Sequence, residues 1–358
     1  MKFSRLLARQ NFSVIFQHAN TGWQPEVVMR MIVASSFIAI ALSYNAASAQ
    51  PELPAPIRPG QFPIAANDEA WAKLPLEVQV LPRWSRMLVG AMPKATARML
   101  ELDYLHRAKN PLGPVLSGKI RRVVAETLAS KSGVSSAETD LRAAGLTAAD
   151  LADLVAMKVT PAERVALTFS KTLTLAGSTI TDAEFAELLK LYGPEKVTAI
   201  VHTVAYANFH NRILLGIGAT GAPVPPLDVR FDTAKLTKIS SPVRPPWDDL
   251  KSVKADGLSV RVDWTKDDIE TVHATLEKQK ERKLRIPLPD KKLFEKLPPR
   301  DKYQSENIAW MTVSNGYQLE MTQAWFACLS AYYEDAKVDR VFVNSVFWVV
   351  TRTNDCFY

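Results

Sequence analysis

A chain of 358 residues exceeds one ordinary domain and has room for about two. Its hydrophobic share of 47% suits a chain that buries a core, and three of its seven net positive charges fall before residue 50, where Lys2, Arg5, Arg9 and Arg30 face only Glu26. The remainder is mildly basic with no dense Lys/Arg run among aromatics, which argues against a nucleic-acid partner; two cysteines are no disulfide framework, and five scattered histidines with no Cys/His cluster are no structural zinc site.

Residues 1–49 read as a leader. Met29-Arg30-Met31 precedes an apolar run over 32–42 and then Ala47-Ser48-Ala49. A positive start, a short apolar stretch and a small-residue cleavage site make a secretory signal peptide, with translation expected to begin at Met29 or Met31. The run falls short of the roughly 20 residues of a membrane span. The expectation is therefore an exported protein, periplasmic or secreted, with no membrane span in the mature chain. Residues 50–80 open with Pro51, Pro54, Pro56 and Pro59 and read as an extended linker.

Helix signals dominate 81–226. Thr147 precedes Asp150, Thr160 precedes Glu163 and Thr181 precedes Glu184, each a threonine with an acid three residues on, the capping-box pattern. Pro161 and Pro194 suit a first helical turn. Val165, Phe169 and Leu173 recur every four residues, as do Phe185 and Leu189 with Leu188 beside them, so each helix carries one stripe to bury. With strand signals nearly absent, the spacing predicts an all-α bundle.

Residues 227–300 form a connection rich in proline, Pro242, Pro245 and Pro246 among them. Leu258, Val260, Val262 and Trp264 alternate as one short strand, and a charged helix follows over about 266–285 with Ile269, Val272 and Leu276 as its apolar side. From 301 to 358 the chain is helical and aromatic. Cys328 lies in an apolar setting between Phe326 and Leu329 and is expected in a core. Cys356 stands two residues before Tyr358.

Three elements occur in a fixed order between Val159 and Ala219: Pro161-Ala162-Glu163, Thr181-Asp182-Ala183-Glu184-Phe185, and Asn208-Phe209-His210-Asn211-Arg212. In order and spacing this stretch resembles the second half of the alkylhydroperoxidase AhpD/carboxymuconolactone decarboxylase family, and 81–146 resembles the first half more loosely. The resemblance implies an AhpD-like helical bundle, a homo-oligomer, no cofactor and no metal. In the peroxidase branch it also implies thiol-dependent hydroperoxide reduction, the peroxiredoxin activity, with a thiol reductant protein as partner. That chemistry uses a Cys-x-x-Cys pair, a His four residues past the second cysteine and a Glu on the preceding helix. The logic is that a thiolate of lowered pKa attacks the peroxide and a second thiol resolves the sulfenic acid.

The chain departs from this pattern. Aligned from either flank, the cysteine positions fall on Ser130 and Gly133 or on Val134 and Ala137, and the Glu position on Gly118 or Arg122. Residues 339–358 resemble the opening of a second copy, with Cys356 at the first cysteine position and Asn344 at the Glu position. Cys356 is thus the candidate peroxidatic thiol with its partner missing, and 301–358 reads as a truncated second domain. The readings left open are an impaired thiol peroxidase, a carboxymuconolactone decarboxylase-type lyase that needs no cysteine, and a non-catalytic helical scaffold.

Two further sets are singled out. His202, Tyr206 and His210 lie four apart, a polar stripe that faces either a pocket or metal, or else neighbouring helices. Asn208, Asn211 and Arg212 either line a cleft or subunit contact, or hydrogen-bond the neighbours of their own helix.

Overall fold

Every regular element among the described residues of the computed structural model is a helix and none is a strand. Those residues are 64–74, 80–240, 283–295, 297, 308–336 and 339–353, with positions 270, 274 and 277. The leader, the proline-rich 50–63, the expected strand at 258–264 and Cys356 lie outside them. Of the expected charged helix, Glu270, Ala274 and Glu277 are helical.

The α-helices are α1 Asn67–Ala72, α2 Arg83–Leu88, α3 Pro93–Ala108, α4 Gly113–Thr127, α5 Lys131–Ala143, α6 Ala148–Val155, α7 Pro161–Ala176, α8 Asp182–Gly216, α9 Thr233–Thr237, α10 Ala309–Tyr317, α11 Leu319–Ala336 and α12 Arg340–Thr353. Residues 50–80, expected as an extended linker, hold α1. Asp68 and Glu69 sit in its first turn, where acids are favoured, and Glu69 accepts the Ala66 N–H.

The three predicted caps start α6, α7 and α8. In each, the threonine hydroxyl accepts the N3 amide, and the acid accepts the threonine N–H at 2.7 Å for Asp150, 3.1 Å for Glu163 and 2.8 Å for Glu184. Pro161 occupies the first turn of α7. α8 is broken at Gly193, whose φ of 71° is left-handed, and Pro194 opens its second segment.

Two cores result. α4 packs on α5, α7 and α8 around Ile120, Leu141, Leu167, Leu173 and Leu188, a cluster without charge. The second core joins α2, α3 and the end of α8 through Trp84, Leu100, Leu102 and Phe209. α11 completes this second core. It packs along α3, placing Trp325 and Cys328 inside, with the Trp325 ring 5.0 Å from Phe209. Asp335, fully buried, accepts the Ala95 N–H at 2.8 Å at the start of α3, whose own N-cap, Met92, has no side-chain acceptor. Residues 308–336, assigned by sequence to the start of a second copy, therefore share a core with the first bundle. α12 turns apolar residues outward, with Val341 72% and Trp348 53% exposed.

Candidate functional site

α3 delivers Asp103, His106 and Arg107 to one buried stripe, as spacings of three and four on a helix dictate. α8 delivers His202, Tyr206 and His210 from the facing side by the same rule. The rings form a column. His106 stacks on Tyr206 with centroids 4.2 Å apart, Tyr206 on His210 at 5.5 Å, and the Trp84 edge closes on His210 at 5.3 Å. The sequence-predicted trio thus shares one stripe, but the Tyr206 ring lies between partners from both helices.

A ladder of charge crosses this column. The Tyr206 hydroxyl donates to Asp103, and Arg107 donates to Asp103 at 2.9 Å. Arg107 also grips Asp140 of α5 with two bonds of 2.8 Å, a bidentate pair. Arg121 of α4 ion-pairs with Asp140 at 2.9 Å. Two guanidiniums thus face two carboxylates. Burial alone would raise the Asp103 carboxyl, but Arg107, His210 and the Tyr206 hydrogen bond together hold it below its ordinary value. Burial, then Asp103, pushes Tyr206 well above the usual phenol range. Burial brings His202 and His210 down to about 4, with Asp103 opposing the effect at His210. His106 falls well below its ordinary value through burial, then through His202 and Arg121. These imidazoles are neutral at neutral pH, so they can act as acceptors as well as donors.

Asn208 and Asn211 serve their neighbours. Asn208 donates to Thr174 of α7 at 3.0 Å, and Asn211 donates to Ala207 within α8 at 2.7 Å. Arg212 follows, half-buried.

Beside the column lies a small, half-open cleft of about 50 Å³. Its walls come from α2 (Arg83, Trp84), α3 (Arg107), α5 (Ser132, Ser136) and α8 (His210), with residues 219–224 passing across as a strap. Arg107 donates to Val224 at 2.8 Å and Ser132 to Ala219 at 2.9 Å, which fixes the strap.

α5 is the helix on which the resemblance places the thiols, yet its cleft-lining residues are Ser132 and Ser136, which belong to neither alignment register. In the first register, Ser130 is the buried N-cap of α5 and accepts the Gly133 N–H. A Cβ on Gly133 would meet Asn211 Oδ1 at 1.7 Å, and one on Gly118 would meet Leu141 at 2.7 Å. Neighbouring side chains fill the space that a thiol and a carboxylate would need. In the second register, Ala137 is buried and Arg122 pairs with Glu126 and Glu138 at 2.9 and 3.1 Å. Cys328 is sealed in the core, and burial, then Glu101, pushes its thiol up to about 12.

No protein-family model, no curated protein and no solved structure matches this chain. Among the described residues, no three His, Cys, Asp or Glu side chains are grouped to hold a metal ion, and no helix is long and apolar enough to cross a membrane. Sequence reasoning missed Trp84, Asp103, His106, Arg107, Arg121 and Asp140. One local signal was present: Asp103, His106 and Arg107 interrupt the stripe of Leu102 and Leu105 where a core helix should be apolar.

Proposed function

We propose that the protein is AhpD-like and of the thiol-peroxidase kind but impaired by loss of the Cys-x-x-Cys pair, that the hydroperoxide reduction it retains rests on Cys356, and that the described bundle supplies no reactive thiol. The observation that carries this reading is the contrast between the two cysteines. Cys328 stays protonated at neutral pH behind Trp325 and the α3 core, so it cannot supply a thiolate. Cys356 follows α12, an apolar helix ending at Thr353, in the order the resemblance requires of a motif cysteine. The Cys356 thiolate would attack the peroxide oxygen, giving a sulfenic acid and an alcohol. A thiol of the reductant protein would then displace water from the sulfenic acid to form a mixed disulfide. The leader supports export, and a mature N-terminus upstream of residue 32 would remove that support.

Peroxide consumption with a dithiol reductant tests the mechanism. Weak residual activity is expected in wild type and Cys328→Ser and is lost in Cys356→Ser. Turnover that survives Cys356→Ser sinks the thiol mechanism. A second reading, a non-catalytic helical scaffold, is favoured by the way Asp103, Arg107, Asp140 and Arg121 spend their charges on one another. Wild type without turnover decides for it.

A further inference from the structure

The cleft between α2, α3, α5 and α8 has no cysteine among its lining residues, and its lining has a consistent sign. It holds two guanidiniums, Arg83 and Arg107, the imidazole of His210 and the hydroxyls of Ser132, Ser136 and Thr220, with no Asp or Glu among the lining residues. Asp103 and Asp140 compensate Arg107, and neither of them lines the cleft. Four donor contacts tie Arg107 in place: one to Asp103, two to Asp140 and one to the Val224 carbonyl. Arg83 differs. It is exposed, and none of the ion pairs formed among the described residues includes it. Its stem runs past Gly221 of the strap, where a Cβ would meet Arg83 Cδ at 3.2 Å and where φ is +144°. Gly221 thus leaves room for a cation at the cleft mouth.

The remaining walls are apolar. Trp84, Leu214 and Pro223 face the cleft, and the Trp84 edge holds the His210 ring. The Nε2 of His210 is buried and has no hydrogen-bond partner among the described residues. The cleft is small, about 50 Å³, and half-open, so a ligand held here keeps part of its body in solvent; apolar walls with a few placed polar groups are the usual makeup of a small-molecule site.

We propose that this cleft binds a small organic carboxylate, its apolar body against Trp84 and Leu214 and its charge toward Arg83 at the mouth. The proposal does not rest on the thiol reading, and Cys356→Ser is expected to leave benzoate binding unchanged. Phosphate shares the oxyanion chemistry but offers nothing to the apolar walls, so it is expected to bind more weakly than benzoate.

The test is calorimetric titration of the full chain with benzoate, with its neutral isostere benzamide and with inorganic phosphate. It is repeated on Arg83→Gln, whose exposed position spares the fold, as an unchanged melting temperature will show. Benzoate is expected to bind about tenfold more tightly than benzamide, and Arg83→Gln to lose about five- to tenfold for benzoate but nothing for benzamide. Benzoate saturation is also expected to raise the pKa of His210, followed by NMR of its imidazole, because a nearby anion favours the imidazolium. Benzamide binding as tightly as benzoate, no benzoate binding, or an unmoved Arg83→Gln affinity overturns the proposal. Phosphate binding more tightly than benzoate overturns the assignment to an organic acid.

Discussion

From α6 through α8 the bundle is held by apolar stripes and local caps, whereas α3 to α5 are joined by charges that meet across helices. The first region buries Leu167 and Leu188 against other hydrocarbon. The second buries Arg107 and Asp103 against each other, with Arg121 and Asp140 alongside. Apolar burial is non-directional and forgives a lost methylene in proportion to area, while a buried ion pair is tolerable only when complete. The sharpest way to break the comparison is Arg107→Met. It strands the buried Asp103 carboxylate, leaves Asp140 with Arg121 alone, and should cost about 3–5 kcal/mol in urea unfolding. Adding Asp103→Leu should cost less in that background than in wild type, because the stranded charge goes with it. Additivity of the two within about 0.5 kcal/mol would show that the ladder is not a coupled unit.

Acid separates the regions next. His202 and His210 titrate near 4 in the folded chain, below the ordinary 6.5, so the unfolded chain takes up their protons first. Their contribution is fully present above about pH 6.5 and is lost as pH falls toward 4, by up to about 3 kcal/mol each. Asp103 is depressed and therefore adds its own loss only below the ordinary carboxylate range. The urea midpoint should drop between pH 6.5 and 4, and His202→Gln with His210→Gln should flatten that slope. A slope the double variant leaves unchanged would assign acid sensitivity to other groups.

The contribution of α11 is the third test. Asp335 supplies the acceptor that Met92 cannot give α3, so Asp335→Ala should cost about 1–3 kcal/mol. Glu334, half-exposed and paired with Lys94, should cost under about 1 kcal/mol when replaced by Ala. Equal costs for the two would mean that α11 is only loosely docked.

Legibility follows the same division. The helices from Thr147 to Gly216 could be read because their signals are local: a threonine and an acid three residues apart, a proline in the first turn, and an apolar stripe. The ladder could not, because Asp140 finds Arg107 across 33 residues and Asp335 finds Ala95 across 240. No spacing rule links such pairs. The stripe of His202, Tyr206 and His210 was visible, but its partners His106, Asp103 and Trp84 come from elements distant in sequence. That neither alignment register of the resemblance puts a cysteine on α5 could be read from the order of residues. That Asn211 crowds Gly133 and Leu141 crowds Gly118 required the packing of α8 on α5 and of α4 on α5.

The smallest test concerns the legible half. Thr181 opens α8 with both halves of a capping box, its hydroxyl accepting the Glu184 N–H and its own N–H donating to Glu184. Thr181→Ala removes the hydroxyl half and should cost about 1 kcal/mol, while Thr181→Ser should be close to neutral. Because this cap faces solvent and Gly193 separates the first segment of α8 from the rest, the loss should stay local. Hydrogen exchange should quicken over residues 182–192 and leave Tyr206 and its neighbours protected. Faster exchange on both sides of Gly193 would mean that α8 acts as one unit, and the boundary between the capped region and the charged one would then have to be drawn elsewhere.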